Sequence, residues 1–157
     1  MVTIRQACES DFESINRLYE QLDKLHRVRH AERFQEPAEI GRTKEYLINL
    51  LENSMCHLAV ATDDEKVIGF VEGRLMESPD FDVLVKRKYI QINSLVVDTS
   101  RRSEGTGQLL LDHLIKWGQD HGAKSAELNV YIFNESAISL YENNGFKVIT
   151  QSMYKKI

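Results

Sequence analysis

No stretch of the 157-residue sequence approaches the roughly 20 apolar residues that a membrane-spanning helix needs, so no membrane partner is expected. Met1 to Asp11 carries Arg5, Glu9 and Asp11 before any long apolar run, which is not the pattern of a secretory leader. Cysteine is scarce. Cys8 and Cys56 match no metal-ligand spacing, a domain of this size needs no disulfide staple, and both are expected to be reduced. Positive charge is not in excess either: the formal net charge of -4 gives no general attraction to polyanions, although Lys24 to Arg33 could form a local basic patch. Nucleic acid is therefore not an expected partner. With no repeat or low-complexity linker to divide the chain, a single domain over 1–157, located in the cytoplasm, is the simplest account.

What the chain does contain is ordinary globular composition, 42% hydrophobic and 28% charged, enough to build a real core. Val2 to Ala7 is a short strand pattern. Phe12, Ile15, Leu18, Leu22 and Leu25 then recur at helical steps, predicting a helix from Asp11 to about Arg29 with Ser10 as its cap. Tyr46, Leu47, Leu50 and Leu51 indicate a second helix. Met55 to Ala61 and Val67 to Met76 flank the polar run Thr62 to Lys66 and read as a hairpin, and Tyr89 to Val97 reads as a central strand. Leu110, Leu111, Leu114 and Ile115 form the stripe of a helix over Gln108 to His121, which Gly122 ends. A strand from Ala126 to Ile132, a short helix capped by Asn134 and ended by Gly145, and a last strand from Phe146 to Thr150 complete the pattern.

The chemistry-bearing segment is Arg102-Ser103-Glu104-Gly105-Thr106-Gly107, between the central strand and the helix after it. Two glycines one residue apart let backbone approach a ligand closely, and the free amides of a first helical turn suit phosphate. An isolated GxG also serves as a tight turn and nothing more. It is neither the dinucleotide fingerprint GxGxxG nor a Walker loop, since no Gly-Lys-Ser/Thr follows.

From Leu95 to Val148 the sequence resembles the core of the GCN5-related N-acetyltransferase (GNAT) superfamily. The residues that carry the resemblance are Leu95 and Val97, Arg102-x-x-Gly105-x-Gly107, Leu110 and Leu111, and Asn134, Ala137, Tyr141, Gly145 and Phe146. It implies an α/β fold with a mixed, mostly antiparallel central sheet flanked by helices and splayed between its two central strands. It also implies acetyl-CoA as acyl donor, with the pyrophosphate held by backbone at Ser103, Glu104, Gly105, Thr106, Gly107 and Gln108 and with Arg102 in support. The pantetheine arm would lie along Leu95, Val96 and Val97, with a further contact from Asn134. The family commonly has glycine where Ser103 stands and a small or basic residue at Glu104; the Glu104 carboxylate is expected to point into solvent. A homodimer is common in such proteins, although nothing in the sequence marks an interface.

By the same resemblance Tyr141 is the group that protonates or hydrogen-bonds the departing thiolate, whereas helical spacing alone places it as readily in the core. The implied reaction is direct attack of a neutral primary amine on the thioester, which requires a proton acceptor. Glu72 is the first candidate, with Asp98, Gln91 and Asn93 behind it. The acceptor is expected to be a small-molecule or peptide amine: acidic residues Glu72, Glu77, Asp80 and Asp82 would attract a cationic polyamine or peptide amine, or basic residues His26, Arg27, Arg29, His30 and Arg33 would instead read a carboxylate or phosphate on it, unless either cluster is simply solvated surface. The alternative from another class is an acyl-CoA-binding or sensing domain without turnover.

Overall fold

The structure is a computed structural model and describes residues 1–39 and 41–157. Its elements in chain order are β1 (Thr3–Gln6), α1 (Phe12–Arg29), α2 (Lys44–Glu52), β2 (Cys56–Asp63), β3 (Lys66–Glu77), β4 (Lys88–Val97), α3 (Thr106–Asp120), β5 (Ser125–Leu128) and α4 (Glu135–Asn143), with 3-10 turns at Glu9–Asp11 and Thr99–Arg101. The strands form one sheet in the order β1-β2-β3-β4-β5, antiparallel from β1 to β4, with β5 parallel to β4. This is the mixed, mostly antiparallel sheet that the resemblance implied.

Period-two alternation divides the core between the two faces of the sheet. Leu58, Val60, Phe70 and Val96 pack with Ile15, Leu18 and Tyr19 of α1 and Leu47 of α2. Val71, Ile90 and Ile92 pack with Leu110, Leu111 and Leu114 of α3 and Tyr141 of α4. The three α3 leucines are fully buried, and each contributes roughly 1.5–3 kcal/mol of burial. Gly118 brings α3 tight onto the sheet: a Cβ there would lie 2.0 Å from Ile90 Cδ1.

Three local expectations change. Ser10 does not cap α1; it lies inside a 3-10 turn, where Asp11 accepts from Cys8 N at 2.9 Å and from both terminal nitrogens of Arg5 at 2.8 Å. The hairpin turn is tighter than Thr62 to Lys66, because Asp64 and Glu65 both take positive φ, as a two-residue turn between right-twisted strands requires. Phe146 to Thr150 forms no strand. β5 stops at Leu128, no strand among the described residues pairs with that segment, and Val148 and Ile149 stay exposed.

Candidate functional site

The sheet opens at one point. The β4–β5 ladder runs from Tyr89↔Ser125 to Ile92↔Leu128 and ends there, while β4 continues alone on that side to Val97. Ile90 and Ile92, inside the ladder, are buried; Leu95 and Val97, on the same face beyond it, are only half-buried and line the opening. At its root β4 carries a bulge. Glu72 pairs with Ser94 and Gly73 with Ile92, so Asn93 is the extra residue, and it is exposed. Bulges of this kind re-aim side chains and often sit beside active sites.

Glu72 lies directly across from the bulge and is buried, at 3% exposure. Three neutral donors converge on its carboxylate. Tyr19 Oη donates at 2.6 Å, Tyr46 Oη at 3.2 Å and Asn93 Nδ2 at 3.1 Å. No cationic side chain pairs with it among the described residues; the nearby Arg42 instead lies over the Tyr19 ring at 4.1 Å and bonds Asp23. Burial first, and then the Glu72 carboxylate, push both phenols above their ordinary value, so they remain donors throughout the neutral range. Asp98 has a different role. Burial works against its charge, but hydrogen bonds from Arg17 and from Ser100 N and Oγ outweigh it and hold the carboxyl below the usual range. It caps the 3-10 turn after β4 and is not available as a base.

The glycine loop follows that turn. Gly105 has φ +83 and serves as the N-cap of α3, so the first amides of the helix are left to face outward. Ser103 also lies in the left-handed region, at φ +64, where the resembled family favours glycine. Arg102 donates to the Val97 carbonyl at 3.3 Å and ties the loop to the end of β4. Glu104 is exposed, and Arg101 donates to it at 2.9 Å while also bonding Asp63, which offsets the carboxylate beside the loop. Thr106 is buried, and its Oγ1 has no hydrogen-bond partner among the described residues. Gly107 faces the opening, where an added Cβ would stand 3.4 Å from Leu140, 3.7 Å from Leu95 and 3.8 Å from Val97.

The far wall is α4. Asn134 accepts from Ala137 N at 3.4 Å, which is its helix-cap role. Tyr141, 9% exposed, packs on the α3 face with its ring 5.5 Å from Phe146, and its hydroxyl bonds no other described residue. Burial pushes that phenol up to about 12, so it is a neutral donor at physiological pH. Gln108 and Asn144 exchange amide hydrogen bonds at 2.7 and 2.8 Å, joining α3 to the end of α4.

The structure brings Leu95, Val97 and Gly107 together with Leu140 of α4 at one opening and places Tyr141 in the core on that same face, whereas Val96 packs on the opposite face, where Glu72 also lies, and Asn134 is seen only as the cap of α4. It does not gather the acidic cluster, since Glu77, Asp80 and Asp82 are exposed beyond the buried Glu72. The basic cluster is engaged elsewhere: Arg27 pairs with Glu36, His30 with Glu32, and Arg29 lies over Phe133. Sequence reasoning missed Tyr19 and Tyr46 as partners of Glu72. Tyr19 stands four residues after Ile15 on the apolar stripe, and that was the one available signal.

A sheet opened between an antiparallel and a parallel neighbour, with a glycine loop leading into the next helix, defines the class of the GNAT acetyltransferases. The family model described as "Acetyltransferase (GNAT) family" matches residues 15–146, and the chain belongs to that family. It is 31% identical over 147 residues to the uncharacterized N-acetyltransferase YhfO of Bacillus subtilis, covering 93% of this chain and 90% of that protein. It is 30% identical over 112 residues to human N-acetyltransferase 8, but spans only 46% of that protein's length, against 71% of its own. Among solved structures, a mutant of the BH1408 protein of Bacillus halodurans superposes with a TM-score of 0.94 at 27% identity, over 99% of each chain. An aminoglycoside N-acetyltransferase in complex with CoA shares the fold at a TM-score of 0.76 and 16% identity, over 100% of this chain and 95% of that one.

Proposed function

We propose that the protein transfers the acetyl group of acetyl-CoA directly to a primary amine. The observation that carries this reading is the opening beyond Ile92 and Leu128, where β4 parts from β5: the glycine loop and Tyr141 lie on the α3 side, and the buried Glu72 on the α1 side. Donor and acceptor can therefore enter from opposite faces and meet between β4 and β5.

The residues present fit the proposed donor. The outward amides of Gly105 to Gln108 suit a pyrophosphate, and the side-chain-free Gly107 keeps a channel beside Leu95 and Val97. Acetyl-CoA supplies the activated thioester. Beyond Ile92 the backbone groups of β4 that face β5 have no strand partner among the described residues, and the amides near Leu95 and Val96 are the proposed donors to the carbonyl oxygen as charge develops on it. Glu72, fixed by three neutral donors and linked through Asn93 to the surface, accepts the amine proton directly or through water. The Tyr141 hydroxyl, neutral and without another partner among the described residues, supplies the proton or hydrogen bond to the departing sulfur.

The test is release of free thiol from acetyl-CoA across a panel of polyamines, aminoglycosides, amino acids and peptide amines. Amine-dependent thiol release with acetylated product is the expected result. CoA binding by calorimetry with no turnover on any amine would favour a sensing domain instead.

A further inference from the structure

β5 has a neighbour on one side only. Ser125–Leu128 pairs with β4, no strand lies on its other side among the described residues, and beyond it Val130 and Ile132 are exposed. An open edge presents a row of unpaired amides and carbonyls, which proteins usually blunt with lysine, proline, a bulge or a covering element. β5 contains neither lysine nor proline, its register with β4 is unbroken, and its one charge, Glu127, is taken up by Arg87. The same chain carries a strand sequence without a neighbour. Gly145, at φ +81, ends α4, and Phe146 still packs beside Tyr141, but every residue from 147 to 157 is exposed and outside any helix or strand. That segment holds no glycine or proline, and its Val148, Ile149, Met153, Tyr154 and Ile157 are each at least 62% exposed. Arg33, over the Tyr154 ring at 5.1 Å, makes its only aromatic contact among the described residues.

We infer that segment 147–157 pairs with the β5 edge of a second copy, so that two chains exchange strands in a homodimer. Each copy carries one open edge and one unpaired strand, so two copies satisfy both about a two-fold axis and leave nothing open to a third. The β-branched run Val148, Ile149 and Thr150 suits a strand, and the neighbour it lacks is the one that β5 lacks. The area is adequate. Burying a side chain of this size removes about 60–120 Å² of apolar surface, so five from each copy give roughly 600–1,200 Å² before backbone and the β5 edge are counted. A stable interface buries about 1,200–2,000 Å² in total. The added strand lies on the outer side of β5, the strand from which β4 parts, so the partner braces one wall of the opening. The inference stands whether or not that opening binds CoA.

The experiment is light scattering coupled to size-exclusion chromatography, at several concentrations of the full chain, on wild type, Val148→Pro and Ile149→Pro. Adjacent amides of a strand point to opposite sides, so one of the two prolines must remove a ladder donor. Neither amide bonds another described backbone group within the chain, so each copy should keep its fold, which circular dichroism checks. Wild type is expected to have the mass of two copies. At least one proline variant should raise the dimer dissociation constant about 10-fold or more, since each dimer loses two ladder bonds. Should a proline variant fail to fold, the double variant Val148→Asp, Ile149→Asp takes its place, with a carboxylate on each face of the strand and the same loss expected. A wild-type monomer, or an assembly larger than two copies, would overturn the exchange. A dimer that both proline variants leave at its original affinity would place the interface elsewhere and overturn it equally.

Discussion

Tyr141 and Glu72 divide the proposed proton traffic, and each can be tested without removing its packing. Tyr141→Phe keeps the ring against Phe146 and deletes only a hydroxyl that bonds no other described residue, so stability and CoA affinity should stay near wild type. Turnover should fall about 10-fold or more, toward the low end for general acid catalysis because a thiol is a good leaving group. A wild-type rate, with product release shown not to limit, would make the residue core and nothing else. Glu72→Gln should cut turnover chiefly below the pKa of the amine while CoA affinity persists; an unchanged pH-rate profile would remove Glu72 from the chemistry. Tyr19→Phe keeps the ring 4.6 Å from Phe70 but loses the 2.6 Å donor, so a smaller loss of kcat than Glu72→Gln, at unchanged CoA affinity, marks Tyr19 as a positioning residue. Glu72 and Tyr141 were legible as candidates through motif and strand position. The phenols on Glu72 were not, because α1 and α2 reach it only through tertiary packing, across sequence separations of 53 and 26 residues.

At the scale of elements, the helices and the hairpin were legible because their periodicity and breakers agree, and the bulge was not. An extra residue in β4 appears only when β3 sets the register, as at Glu72↔Ser94 and Gly73↔Ile92. The expected strand from Phe146 failed for a related reason: β-branched residues show that a strand can form, and a neighbour decides whether it does. The loop offers a clean test of local strain. Ser103 pays for a left-handed conformation that glycine adopts freely, so Ser103→Gly should stabilise the protein by about 1 kcal/mol or less, a rise in Tm of about 2–4 °C at most. Thermal unfolding showing a clear loss of stability would mean that the serine side chain contributes more than its backbone costs.

Across the whole molecule, buried His57 couples stability to pH. Its folded pKa, about 4, lies below the ordinary 6.5, so the unfolded chain binds the proton first on acidification. The stability this confers is fully present above about pH 6.5 and is lost as pH falls toward 4, by at most about 3 kcal/mol. Below that window Asp11 and Asp98, both held under the usual carboxylate range, add their own losses. A Tm-against-pH curve for His57→Gln should be flatter than wild type between pH 6.5 and 4; parallel curves would contradict the assignment. The central claim, that the opening between β4, α3 and α4 holds CoA, is tested most directly at Gly107. Its would-be Cβ meets only ordinary contacts, so Gly107→Val should fold, with Tm within a few degrees of wild type, while its methyl groups fill the channel beside Leu95, Val97 and Leu140. Calorimetric titration of CoA into the two proteins is predicted to show a loss of affinity of about 100-fold or more in the folded variant. CoA affinity equal to wild type in folded Gly107→Val would place the cofactor elsewhere and contradict the account.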